Sequence, residues 1–137
     1  LCRRRGRRFT LHRAFDMCRD PFAALEQCGL LGVDTVLTPG QATSCVEGLP
    51  LLERLWPRRG RVELLLGAGV DAAAIRQVRQ RLPEARAFHM SGKITLESPM
   101  TYRKERVSMG LPGFDEYTLW RADPEKIRAA GKELRNR

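Results

Sequence analysis

Four short apolar runs recur along the chain at nearly constant spacing, and this repeat constrains the fold more than any other feature of the sequence. The runs are 26, 27 and 25 residues apart and begin at Phe9, Thr35, Val62 and Ala87. Each run is followed by polar or glycine-containing residues and then by a helical pattern. Short runs of branched and aromatic residues are typical of buried strands. We therefore predict four strands, of which the first extends from Phe9 to Phe15.

The helical patterns between the runs carry their own start and stop signals. Asp20 and Pro21 form an N-cap and a first-turn proline, and Gly32 marks the end of the first helix. Ser44 is predicted to cap a second helix with a late regular start, and Asp71 is predicted to cap a third. The chain therefore alternates strands with single helices.

Strands that alternate with helices form right-handed βαβ units and a parallel sheet. The sequence thus predicts an α/β fold of four βα units with parallel strands. Two architectures fit this pattern, an open doubly wound sheet and part of a (β/α)₈ barrel. The periodicity alone does not favour either of them.

In both architectures ligands bind at the carboxyl ends of the strands, where side chains and helix N-termini meet. Polar or glycine-rich residues follow every predicted strand, so we expect them to converge on one rim. The predicted ligand-binding residues are His12, Arg13, Asp16, Thr38, Gly40, Gln41, Gly67, Gly69, His89 and Ser91. The alternative for the two histidines is burial with satisfied hydrogen bonds. The alternative for the "GAG" segment is a tight turn, although backbone N–H groups at a helix start favour an anion.

The formal net charge is +9, and five of the arginines lie in the segment "RRRGRR", Arg3–Arg8. This segment lacks interleaved aromatic residues, so residues 1–8 are predicted to be a disordered basic tail, and a nucleic-acid partner is not expected. No apolar run approaches the roughly 20 residues that cross a bilayer. A cytoplasmic protein without a membrane partner is therefore expected.

The four cysteines are Cys2, Cys18, Cys28 and Cys45, and they form no C-x-x-C pair. No histidine lies at zinc-ligand spacing from them, so the sequence predicts reduced thiols and no metal site. Copper(I) ligation by thiolates is the alternative, since soft ligands select copper(I).

Longer blocks of the sequence are more specific than these patterns. The blocks "HRAFD", "LTPGQ", "FHMSGK" and "SPMTYRKERVSMG" occur in the order and spacing of one known family. From Phe9 to the C-terminus the chain resembles the CutC family of copper homeostasis proteins. The resemblance implies a TIM-type (β/α)₈ barrel, a cytosolic location, homo-oligomers and a link to copper(I). It also implies that the predicted rim residues lie in the blocks after the last four barrel strands.

Members of that family have about twice this length, because a barrel of this type typically needs about 250 residues. The resemblance therefore implies the C-terminal half of a barrel at residues 9–137, with a long inserted segment at residues 93–122. The apolar side chains of that segment favour a cover for the barrel or an oligomer interface. The early cysteines of the family are missing, so copper(I) is carried over only as a candidate ligand.

Three functions remain open at this stage. The first is a copper(I)-associated homeostasis protein with a barrel-mouth site for a small anionic ligand. The second is a barrel enzyme that acts on a phosphorylated or carboxylate small molecule through His12, Asp16 and His89, and the third is a non-functional fragment of a truncated gene. The expected partner is a second copy of the chain or a missing N-terminal half-barrel.

Overall fold

The computed structural model describes residues 6–104, 106, 107, 109, 110, 113 and 115–135. Residues 1–5 of the predicted basic tail, with Cys2, lie outside this part of the chain. The elements are β1 (Thr10–Leu11), a 3₁₀-helix (Arg13–Met17), α1 (Pro21–Leu31), β2 (Thr35–Thr38), α2 (Leu49–Leu55), a second 3₁₀-helix (Trp56–Arg58), β3 (Glu63–Leu66), α3 (Ala72–Arg81), β4 (Lys93–Glu97), β5 (Thr118–Ala122) and α4 (Pro124–Arg135).

A parallel sheet with the strand order β1-β2-β3 forms the centre of the fold. In its register Thr35 lies between Thr10 and Glu63, and Leu37 lies opposite Leu65. The predicted α/β class and the parallel pairing of the first three runs are therefore confirmed. The guanidinium of Arg8 contacts this sheet, because it donates to the Thr35 hydroxyl at 3.2 Å and to Glu63 at 3.0 Å.

The first strand is shorter than predicted, because the chain turns into a 3₁₀-helix directly after Leu11 and His12. The backbone N–H of Ala14 donates to His12 Nδ1 at 2.9 Å, and that of Phe15 donates to the His12 carbonyl at 3.2 Å. Local side-chain bonds of this kind compete with a strand ladder. The turn also carries Phe15 into the core, where it is 2% exposed.

The fourth predicted run forms only an isolated bridge, so four parallel strands were predicted and three are found in the described residues. Phe88 forms a parallel bridge with Leu66. The N–H of Leu66 donates to the carbonyl of Ala87 at 3.0 Å, and the N–H of His89 donates to the carbonyl of Leu66 at 2.8 Å. A turn bonded from Ala85 to Leu82 holds the chain near α3 before this bridge.

The predicted helix caps are mostly confirmed. Asp20 accepts hydrogen bonds at the start of α1, Gly32 ends this helix at a φ of 74°, and Asp71 caps α3. The prediction for Ser44 is wrong, because α2 begins at Leu49 without a side-chain cap. Ser44 instead accepts the N–H of Glu47 in the turn that precedes the helix, at 3.3 Å.

The core lies between the sheet and helices α1, α2 and α3. Val36 and Leu64 point to this side of the sheet and are buried, whereas Leu37 and Leu65 point to the other side and are only half-buried. Further core residues are Leu25, Leu52, Leu55, Leu66, Ile75 and Val78. One face of the sheet is therefore covered by helices, and the other is less covered within the described residues.

The inserted segment forms an antiparallel hairpin of β4 and β5. Its apolar side chains include Trp120, which is 58% exposed and is contacted by the Lys93 ammonium at 3.4 Å from the ring centroid. The last helix, α4, packs on α3, and Glu133 binds Arg76 at 2.7 Å. None of the described helices has the length and apolar character required to cross a membrane.

Candidate functional site

The loops that follow the strands contact each other at the carboxyl end of the sheet. The N–H of Gly67 donates to the carbonyl of Thr38 at 3.3 Å, and the N–H of Cys45 donates to Ala68 at 3.1 Å. The backbone N–H of His89 donates to the carbonyl of Leu66, the last residue of β3, at 2.8 Å. The structure thus brings together the second, third and fourth groups of predicted site residues. We call this carboxyl end of the sheet the rim.

Asp16 attaches the first loop to the same rim. Its side chain is only 7% exposed, and Oδ1 accepts hydrogen bonds from the Thr38 hydroxyl and, at 3.2 Å, from the N–H of Gln41. Oδ2 accepts a bond from Arg13 Nε at 2.9 Å. Because both carboxylate oxygens are engaged, Asp16 holds two loops and one guanidinium in place.

Arg13 is half-exposed, with 50% of its side-chain surface accessible. Asp16 uses only the Nε–H of this guanidinium, and within the described residues its two terminal nitrogens make no hydrogen bond. A guanidinium oriented in this way presents free N–H donors in a planar fork that matches carboxylate and phosphate groups. Arg13 is therefore the cation of the rim best placed to bind an anion.

Gly40 and Gln41 shape the rim through their backbone, since both have positive φ, of 84° and 55°. A Cβ atom on Gly40 would lie 2.6 Å from the carbonyl oxygen of Gly48, so this close approach requires glycine. The backbone N–H of Gly40 donates to the Thr38 hydroxyl oxygen at 2.8 Å, and the side-chain amide of Gln41 donates to the backbone carbonyl of Cys18 at 2.8 Å. The "TPGQ" segment is thus a tight turn that is bonded to the first loop.

Both predicted histidines are exposed, so the alternative of buried histidines does not apply. His12 Nδ1 accepts the N–H of Ala14, which leaves the proton of the neutral ring on Nε2. His12 therefore offers a donor to a ligand. The His89 side chain makes no hydrogen bond within the part of the chain that the structure describes.

The loop from Gly67 to Gly69 contains two consecutive residues of positive φ, Ala68 at 61° and Gly69 at 66°. Turns of successive backbone N–H groups form concavities that bind anions. Ala68 was not predicted from the sequence, because alanine rarely adopts this conformation and gives no signal for it. The hydroxyl oxygen of Ser91 accepts the N–H of Lys93 at 3.5 Å, and no hydrogen bond joins Ser91 to this loop within the described residues.

The thiols of the described residues do not fit a copper(I) site. Cys28 and Cys45 are buried, and burial is the main cause that raises the pKa of both. Burial also raises the pKa of Cys18, with the nearby carboxylates of Asp20 and Asp16 adding to it. Copper(I) binds the thiolate form, which a raised pKa disfavours. In residues 6–104 and the later described positions, no three histidine, cysteine or acidic residues form a group that could hold a metal ion.

Comparison with known proteins places these features in a family. Residues 3–94 match the model of the CutC family. The chain is 42% identical over 122 residues to a protein of Parabacteroides distasonis named as a family protein CutC, a match that covers 88% of this chain and 50% of that protein. It is 42% identical over 123 residues to a protein of the same name from Pasteurella multocida, covering 88% and 49% of the two chains.

A human relative, named copper homeostasis protein cutC homolog, is 38% identical over 129 residues, which cover 93% of this chain and 47% of that protein. The chain spans about half the length of the curated relatives it matches. The family match covers more than half of the chain and includes β1, β2, β3 and all ten predicted rim residues. The chain belongs to the CutC family.

Proposed function

We propose that this chain serves in copper homeostasis, the role in its human relative's name, by binding a small anionic ligand at the rim. The observation that carries the proposal is the Asp16 network. It orients Arg13 through Nε alone and leaves the terminal nitrogens of that guanidinium without a partner among the described residues. A small molecule with a phosphate or carboxylate group would complete this arrangement.

The other polar groups of the rim support the same ligand class because they are donors. His12 offers Nε2–H, and the turn at Ala68 and Gly69 offers backbone N–H groups. The negative charge of Asp16 is offset by its ion pair with Arg13, and both of its oxygens already accept hydrogen bonds. Donors without matching acceptors favour a negatively charged ligand.

The alternative, a barrel enzyme acting on a phosphorylated or carboxylate molecule, needs a proton acceptor within reach of the reacting atom. Asp16 and His12 are the predicted candidates for this role. Asp16 is saturated by three donors, and His12 Nδ1 is occupied by a backbone N–H. The exposed His89 side chain makes no hydrogen bond within the described residues, but Asp16 and His12 themselves are better suited to binding than to acid–base catalysis.

Copper(I) association is the less supported part of the proposal. Because burial raises the thiol pKa values, we expect this chain alone to bind copper(I) only weakly. Competition with a copper(I) chelator measures this affinity. A tight site of one copper per chain that disappears in Cys18→Ser would contradict the expectation.

We also propose that the chain acts in the cytoplasm with a second protein layer on its open sheet. Of the described cysteines, Cys18, Cys28 and Cys45 are free thiols, which suit a reducing compartment. The side chains of Leu37 and Leu65 on one face of the sheet are only half-buried, and within the described residues β1 pairs with β2 alone. A second copy of the chain or an N-terminal half-barrel would cover this face and complete a TIM-type (β/α)₈ barrel.

A titration with inorganic phosphate tests the rim directly. We expect Arg13→Gln to weaken binding about tenfold or more, because it removes a charge-assisted hydrogen bond. Gly69→Val should also weaken binding, because its Cβ would lie 3.1 Å from Ser44 Cβ at a φ of 66°. The matched control is Arg19→Gln, which removes an exposed charge from the same segment outside the Asp16 network. Equal affinity in the wild type, Arg13→Gln and Gly69→Val would refute the rim site.

A further inference from the structure

A cavity of about 470 Å³ lies at the amino end of β3, at the opposite end of the sheet from the rim. Its walls include Trp56, Arg61, Leu64, Glu84 and Arg86. It opens there because, among the described residues, Leu66 alone of β3 is bridged to the following segment, which leaves the outer edge of β3 near Leu64 without a paired strand. Ligand sites typically have volumes of roughly 300–1,000 Å³. The space is therefore large enough for a small molecule.

The acidic residues of the cavity are already neutralised. Glu84 pairs with Arg59 at 3.5 Å, and Glu63 pairs with Arg8 at 3.0 Å. Glu84 also accepts the indole N–H of Trp56 at 3.2 Å. These carboxylates are therefore held by other groups and do not neutralise the remaining arginines of the cavity.

The side of the cavity that contains Glu84 is held in place by contacts among its own residues. The guanidinium of Arg59 stacks over the Trp56 ring at 4.6 Å from its centroid and donates to the Trp56 carbonyl at 3.0 Å. Trp56 is itself 8% exposed. A ligand in the cavity would therefore meet a fixed wall on this side.

Arg61 and Arg86 remain as uncompensated charges. They line the cavity from the two loops that precede β3 and the Phe88 bridge, and both are exposed. Neither side chain has a hydrogen-bond or ion-pair partner within the described ranges. Two like charges that line one cavity repel each other, and an anion bound in the cavity would offset both charges.

We propose that this cavity binds the phosphate groups of a small molecule, of the diphosphate class, through Arg61 and Arg86. Guanidinium groups bind phosphate oxygens with two parallel N–H···O bonds, and two arginines suit a ligand with two phosphate groups. The site is independent of the rim. Its existence does not depend on the function proposed above, because it shares no residue with the rim.

Isothermal titration calorimetry of the full chain with pyrophosphate tests the proposal. We expect binding in the wild type and a loss of affinity of about tenfold or more in Arg61→Gln and in Arg86→Gln. Arg121→Gln is the matched control, because it removes another exposed arginine, from β5, and should leave affinity unchanged. Thermal melts followed by circular dichroism establish that each variant remains folded.

Four results would count against the cavity as the pyrophosphate site. Absence of binding in the wild type overturns the proposal, as does an equal loss in Arg121→Gln, which would indicate a general effect of net charge. A loss confined to Arg13→Gln would assign pyrophosphate to the rim and also overturn it. Vesicles of phosphatidylcholine with and without phosphatidic acid form the last comparison. Binding to the acidic vesicles without binding to free pyrophosphate would point to a lipid surface and contradict the cavity site.

Discussion

Replacement of Asp16 by alanine should destabilise the fold more than its position in an exposed loop suggests. The carboxylate is 7% exposed and joins the first loop to the end of β2 through Thr38 and Gln41. Thr38 is 0% exposed, so the variant leaves its O–H donor buried without an acceptor, while Thr38 Oγ1 still accepts the N–H of Gly40. An orphaned buried polar group costs about 1–3 kcal/mol.

The other two bonds of Asp16 add to this cost in different amounts. Loss of the bond from the Gln41 N–H contributes about 1 kcal/mol, as a typical intramolecular hydrogen bond does. The ion pair with the half-exposed Arg13 contributes about 0–1 kcal/mol because water screens it. We therefore expect Asp16→Ala to lower the free energy of unfolding by about 2–5 kcal/mol.

Urea unfolding followed by circular dichroism measures this change. Asp20→Ala is the matched control, since this carboxylate lies in the same segment and caps α1, a contribution of about 1 kcal/mol. The sharper test is a double-mutant cycle with Thr38→Val, which removes the orphaned hydroxyl. The two changes together should cost less than their sum by about 1 kcal/mol or more. Additivity within about 0.5 kcal/mol would refute the coupling.

Two further predictions follow from the turn at Gly40 and from the open sheet. Gly40→Ala should destabilise the fold by about 1 kcal/mol or more, because a Cβ there would meet the Gly48 carbonyl at 2.6 Å at a φ of 84°. In a thermal melt, Gly29→Ala is its control, since nothing lies within 4 Å of a Cβ at this helical position, and an equal or higher melting temperature is expected for it. The isolated chain should associate as its concentration rises in sedimentation velocity, because its sheet has an uncovered face and unpaired edges. A concentration-independent monomer with a sharp cooperative melt would contradict this.

The sequence by itself determined the features of this protein that depend on neighbouring residues. The boundaries of α1 follow from Asp20 and Gly32, because an N-cap side chain and a left-handed C-terminal glycine act within a single helical turn. The spacing of the apolar runs predicted the α/β class and the pairing of β1, β2 and β3 for the same reason. Each strand–helix unit carries its own pattern, and the handedness rule then orders the units.

The tertiary structure decided what depends on residues far apart in the chain. Asp16 and Thr38 are 22 positions apart, and no local pattern shows that one saturates the other. The bridge at Phe88 and the left-handed backbone of Ala68 likewise depend on where packed neighbours place the chain. Hydrogen bonds and close packing act over a few ångströms in space, whatever the separation in sequence. The residues at the rim were therefore predictable from strand ends, whereas the network that leaves the terminal nitrogens of Arg13 without partners among the described residues emerged only from the folded chain.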